Sequence, residues 1–133
     1  MNPEQQKGPR AWDLAAAAAG LTIFRLARLI FGLPRVYATV ARWRVNGRPG
    51  DNSRAVQLVS AVEHAAPRMP WRCVCMDRSV VETVLLRREG FHAQLALGGR
   101  LFPLGFHAWV QMDGKAVNEP GGEHLSYSVM DVI

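Results

Sequence analysis

Apolar residues recur at helical spacing through the first ninety positions and at alternating spacing after them, so the chain reads as helices followed by strands. The run from Leu14 to Phe24 and its continuation predict a helix over 13–31, starting near Trp12 or Asp13. A second helix is predicted over 34–45, with Pro34 in its first turn. Asn46 to Ser53, NGRPGDNS, is the clearest turn in the chain. Asn52 or Ser53 then caps a third helix, whose buried stripe is expected to be Ala55, Val56, Leu58, Val59 and Val62, ending before Pro67 and Pro70 with His64 at the surface. In the stretch RCVCMDRSVVETVLLRREG, Met76, Val80, Val81, Val84 and Leu85 make the apolar stripe of a fourth helix. Asp77 and Glu82 lie early in it, Arg87 and Arg88 late, and Gly90 closes it.

Beyond Gly90 the period changes to two. Phe91, Ala93, Leu95 and Leu97 alternate with polar neighbours and predict a strand, followed by a turn at Gly98-Gly99-Arg100 and an irregular bridge from Leu101 to Leu104. Phe106, Ala108, Val110 and Met112 alternate with His107, Trp109 and Gln111, a strand with one apolar and one mixed face. Asp113-Gly114 marks a hairpin, with Lys115 to Glu119 returning as its partner. Gly121-Gly122 interrupts the chain, and Leu125 to Ile133 supplies a last strand or an extended tail. The resulting class is α+β, with helices leading and a small antiparallel sheet following.

Composition narrows the options. At 133 residues, 49% apolar and 20% charged, the chain fits one domain with a proper core. Residues 1–11 are expected to be disordered, 12–50 to form a helical, basic, partner-binding region, and 51–133 to form the core that carries the chemistry. The early apolar run meets Arg25 and Arg28 before it is long enough to span a bilayer, and RLARLIFGLP offers no small-residue cleavage site, so a cytoplasmic protein is expected. Most of the net charge of +5 sits between Arg25 and Arg54, where seven arginines face the single acid Asp51. No zinc-finger spacing, RNA-binding aromatic motif or glycine-rich phosphate loop accompanies them, which disfavours nucleic acid and leaves a protein partner as the better use of a basic helical face.

Two cysteines and four histidines bound the chemistry. Cys75 falls in the first turn of the fourth helix, where unsatisfied N–H groups and the positive end of the helix dipole favour a thiolate. His107 on a strand is the candidate base, and a polar residue on the returning strand would fix its tautomer. Which residue does so depends on the hairpin. A two-residue Asp113-Gly114 turn sets Trp109 opposite Asn118, puts Asn118 on the histidine's face and turns Glu119 away. A three-residue Met112-Asp113-Gly114 loop sets His107 opposite Glu119. Cys73 is too close to Cys75 for a favourable disulfide and is read as a bystander. Cys73, Cys75, His107 and His124 do not have the usual zinc-ligand spacings, so neither a metal nor any other cofactor is expected. Trp71 and Trp109 are candidates to wall the site, and the backbone N–H of Cys75 to line an oxyanion pocket.

The string CMDRSVVETVLLRREGF followed by HAWVQMDGKAVNEP resembles the transglutaminase-like, papain-related leader peptidases of lasso-peptide biosynthesis. The likeness covers about Trp71 to Pro120 and is carried by Cys75, Arg78, Ser79, Gly90, His107, Ala108, Trp109, Val110, Asp113, Gly114 and Asn118. It implies a papain/transglutaminase-like core, a nucleophile helix packed on a small antiparallel sheet. It also implies Cys75 as nucleophile and His107 as base, with Glu119 as third member where the family's pattern usually has aspartate and Asn118 as the alternative. Trp71, Trp109, Arg78 and Ser79 are the expected substrate-binding residues. The implied activity is removal of the leader from a ribosomally made precursor, often after a penultimate threonine. The implied partners are that leader-core peptide, a small separate leader-recognition protein, and an ATP-dependent cyclase related to asparagine synthetase. Two rivals stand beside this reading: a non-catalytic scaffold or peptide-binding module that has lost its third residue, and a transamidase in which an amine resolves the thioester.

Overall fold

The computed structural model describes residues 9–133. Most of the expected disordered stretch, 1–8, lies outside the described residues, and helix α1 (Ala11–Phe31) opens two positions into them. It is followed by α2 (Leu33–Arg42), α3 (Asn52–Ala65), α4 (Cys75–Arg88), β1 (Gln94–Leu101), β2 (Leu104–Met112), β3 (Lys115–Ala116) and β4 (Ser128–Val132). The sheet is antiparallel throughout, in the order β3-β2-β1-β4. The fold is α+β, as the change of period implies.

Helix α4 lies at the centre, between the sheet on one side and α1 and α3 on the other. Leu21 and Phe24 of α1, Ala61 and Val62 of α3, Val80 and Val81 of α4, and Leu95 and Ala108 of the sheet form one continuous core. Because α4 is covered on both sides, an apolar stripe alone does not describe it. Ser79, Glu82, Thr83 and Arg87 are all buried in addition to the valines. The Arg87 guanidinium donates to the carbonyls of Ala93, Val40 and Trp43 at 2.8, 2.7 and 3.2 Å, so it ties the end of α2 to the start of the sheet rather than facing solvent. Burial holds its pKa below the ordinary arginine value.

Several expected boundaries shift. The second helix ends at Arg42, three residues short of the expected Val45. Val56 is half exposed and drops out of the α3 stripe, which Ala61 and Ala65 join. Gly98-Gly99-Arg100 is no turn: β1 runs straight through it to Leu101, and the chain reverses at Phe102-Pro103. A Cβ at Gly98 would lie 2.7 Å from Trp109 and 2.9 Å from the Tyr127 Cβ, so this glycine admits a packed ring, not a bend. Gly90 does close α4, at φ +90°, and its hydrogen side faces the Arg48 backbone at a distance no side chain would tolerate.

Helix α1 is long and apolar enough to cross a membrane by length and composition. Four of its residues, Asp13, Ala17, Leu21 and Phe24, are buried in the chain itself. Its other face carries Trp12, Ala16, Ala19, Ile23, Leu26 and Ile30, all exposed and spaced alternately four and three apart.

Candidate active site

Cys75 is the first residue of α4, after the N-cap Val74. The Asp77 carboxylate turns back to accept the Val74 N–H at 2.8 Å, which fixes the helix start, and Arg28 of α1 pairs with that same carboxylate at 3.2 Å. One turn along α4 from Cys75, Ser79 donates to the Ala108 carbonyl at 3.2 Å, so the first two turns of the helix lie against the segment of β2 that carries His107. Cys75 itself packs, half-buried, on the core that includes Ala108.

The His107 ring is held on several sides. Its Nε2 donates to Glu119 Oε1, which leaves Nδ1 as the basic nitrogen. Trp109 stacks at 6.0 Å between ring centres and Tyr127 at 5.1 Å. The other oxygen of Glu119 accepts the His124 backbone N–H at 2.7 Å and contacts His124 Nδ1 at 3.1 Å. The Glu119 side chain is thus both nearly buried and saturated, a fixed acceptor for the imidazole.

The hairpin reaches this arrangement by a route that neither simple register anticipates. Met112 pairs with Lys115 and Gln111 with Ala116 across a two-residue Asp113-Gly114 turn, both turn residues having positive φ. Continued alternation would turn Glu119 away from His107. Pairing stops, however: after the Val117 N–H bond to Val110 the chain leaves the ladder, and Glu119 comes round to the imidazole. Asn118 meanwhile turns toward α4. Its Oδ1 accepts the Val110 N–H at 3.0 Å, and its Nδ2 donates to Ser79 Oγ at 3.1 Å and to Glu82 Oε2 at 2.7 Å.

The expected residues therefore separate. His107, Glu119 and Trp109 come together, with Asn118 beside them and Cys75 one turn along α4 from the Ser79 contact to β2. Ser79 is 1% exposed and bonded inside, so it braces helix to strand and is not available to a substrate. Trp109 is likewise buried, its ring serving as a packing face for the imidazole. Arg78 points to α3 and pairs with Glu63 at 2.8 Å. Trp71 lies on the approach to Cys75 under the Arg25 guanidinium, 5.2 Å from its ring centre. Burial, then the Asp77 carboxylate, push the Cys73 thiol up, which keeps it protonated beside the candidate nucleophile.

Three participants escape a sequence reading. His124 follows Gly121-Gly122 with no spacing relation to Glu119, Tyr127 precedes a short strand, and Glu82 looks like one more acid near a helix start. Only for Glu82 was a signal present: it lies three residues beyond Ser79, on the same helix face.

The family model described as Transglutaminase-like superfamily matches residues 19–132. No curated protein and no solved structure matches the chain. With that match running from α1 to the last strand, the chain belongs to the Transglutaminase-like superfamily, whose members are in general cysteine peptidases or transglutaminases.

Proposed function

We propose that this chain is a cysteine endopeptidase that removes the leader from a ribosomally made lasso-peptide precursor. The observation that carries the reading is the imidazole of His107, oriented by Glu119 through Nε2, on the strand against which the Cys75 end of α4 is docked. The motif likeness around Cys75 and His107 supplies the substrate class. In the proposed reaction Nδ1 of His107 takes the thiol proton and Cys75 Sγ attacks the scissile carbonyl. N–H groups at the start of α4 face the oxyanion, and the imidazolium, its charge offset by Glu119, returns the proton to the leaving amine. Water, activated by the same imidazole, then releases the acid and frees the thiol.

Helix α1 and the arginines beside it are the proposed docking surface for the separate leader-recognition protein. The exposed four-three stripe borders a cavity of about 600 Å³ between α1, α2 and α4, with Arg35 and Arg88 at its edge. A second copy of this chain would bring like charges together there; a partner helix with an apolar seam and acidic flanks would not. The trimmed core then passes to the asparagine-synthetase-like cyclase, in a cytoplasm that keeps both thiols reduced.

The dyad is tested by iodoacetamide alkylation of Cys75 at neutral pH in a Cys73→Ser background. His107→Ala and Glu119→Ala are expected to slow it, the first by about tenfold or more. The peptide reaction is tested by mass spectrometry, using the chain, its recognition partner and a precursor encoded beside this chain's gene. Two fragments summing to the precursor plus one water support the peptidase. A crosslinked mass makes it a transamidase, and no product together with unchanged alkylation in both variants leaves the scaffold.

A further inference from the structure

We propose that Glu82 is a positioning residue for the His107–Glu119 pair: its carboxyl, buried under the hairpin, holds Asn118 so that the chain leaves the β-ladder where Glu119 can reach the imidazole. The inference rests on the dyad reading above and concerns a residue that touches neither thiol nor imidazole.

Glu82 has no exposed surface at all. Its Oε2 accepts from Asn118 Nδ2 at 2.7 Å, and its Oε1 has no N–H or O–H donor among the described residues. An ionised carboxylate in that position would be both desolvated and half unpaired, which is costly. The Glu82 carboxyl also meets the Glu63 carboxyl of α3, which pairs with Arg78 at 2.8 Å. A proton held on Glu82 and donated to Glu63 gives the Glu82 carboxyl a second hydrogen bond. Burial first, then the hydrogen bond with Glu63 and its charge, push Glu82 well above the ordinary glutamate range, in agreement with that arrangement.

The consequence reaches the site through Asn118. Its amide makes three hydrogen bonds, one to β2 at Val110 and two to α4 at Ser79 and Glu82. The partners also fix which way the amide points, since Oδ1 meets an N–H and Nδ2 meets two oxygens. Residue 118 is thereby pulled toward the helix, on the side away from the ladder. Its neighbour Glu119 follows into contact with His107 and His124. Ser79 completes the loop by donating to Ala108, the residue after His107. Helix α4 thus bonds β2 at Ala108 and holds the returning chain at Asn118, which in turn bonds β2 at Val110. Without the Glu82 bond the amide keeps two of its three partners, and the departure from the ladder is no longer held from below.

The role differs from plain core packing in what should rescue it. Glutamine offers an oxygen to Asn118 and an N–H to Glu63, the same two bonds as the protonated acid; alanine offers neither. The experiment uses the full chain in the Cys73→Ser background, iodoacetamide at neutral pH, and Glu82→Gln, Glu82→Ala, Asn118→Ala and His107→Ala, with thermal unfolding to establish that each is folded at the assay temperature. Glu82→Gln is expected to alkylate Cys75 within about twofold of the parent. Glu82→Ala and Asn118→Ala are expected to fall by about tenfold, the scale on which partners one step removed from a site act elsewhere. A folded Glu82→Ala protein that reacts like the parent overturns the proposal, as does Glu82→Gln reacting as slowly as Glu82→Ala. If Glu82→Ala does not fold, Asn118→Ala decides, and parental reactivity there overturns it. A His107→Ala protein that reacts like the parent removes the dyad itself and this inference with it. Slow His107→Ala with fast Glu82→Ala and Asn118→Ala removes only the positioning role.

Discussion

Replacing Arg54 by methionine should detach the start of α1 from the core. Asp13, in the first turn of α1, is 5% exposed and receives Arg54 Nη1 and Nη2 at 2.7 and 2.9 Å. The same guanidinium donates its Nε and Nη2 to Glu89 at 2.7 and 2.8 Å, so one side chain of α3 clamps α1 to the end of α4. Without it Asp13 keeps, among the described residues, only Arg10, at 3.4 Å and largely in solvent. Breaking a buried pair from one side costs about 3–5 kcal/mol; the low end applies here because Arg54 itself is partly exposed and water can enter behind it. For a domain of this size, about 3 kcal/mol lowers the melting temperature by roughly 10 °C. Urea unfolding at pH 7 measures the first figure and a thermal melt the second.

The same pair sets a pH signature. The Arg54 hydrogen bonds hold Asp13 below its ordinary value of 3.8, so its contribution is complete above that value and is lost as the pH falls through the lower folded one. The gap between parent and Arg54→Met should therefore narrow as the pH falls below 3.8, by about the coupling energy of the pair. Asp13→Asn should show a shallower loss of stability over the same range. A change below about 1 kcal/mol at pH 7, or a gap independent of pH, would refute the clamp and make α1 an appendage.

Three further outcomes follow from the packing. Gly98→Ala puts a methyl 2.7 Å from Trp109, so stability should fall by about 1–3 kcal/mol in urea, and Cys75 alkylation should slow because Trp109 and Tyr127 both stack on His107. Gly90→Ala, strained at φ +90° and within 2.4 Å of the Arg48 carbonyl carbon, should cost about 3 kcal/mol or more, read as a lower urea midpoint or loss of soluble protein. In the parent, mass spectrometry after brief iodoacetamide treatment should find label on Cys75 and little on Cys73, whose thiol is held protonated.

Periodicity located all four helices and the strands because each buries an apolar stripe. It failed at α4 for a physical reason: a helix covered on two sides carries buried polar groups such as Ser79, Glu82 and Arg87, and these read as surface. The thiol and imidazole were legible because a cysteine at a helix start and a histidine within an alternating strand each carry a chemical meaning of their own. Ser79 carried none, and its hydroxyl turns out to join helix and strand. The glycines at 98 and 99 were misread as a turn because glycine marks a close approach as readily as a bend, and only the partner ring, distant in sequence, decides between them.

The hairpin gives the deepest case. Its turn follows the Asp113-Gly114 signal, and that register taken alone rejects Glu119 as the histidine's partner. The rejection fails because alternation holds only while both strands are paired, and pairing here ends after two residues of β3. What ends it is not local: Asn118 is drawn off by Ser79 and Glu82, thirty-six and more residues earlier in the chain. The third residue at the imidazole is therefore chosen by the helix that carries the thiol. Cys75, the proposed nucleophile, and Glu119, the carboxylate at His107, both depend on α4, so a change in the core of that helix reaches both ends of the proposed proton path at once.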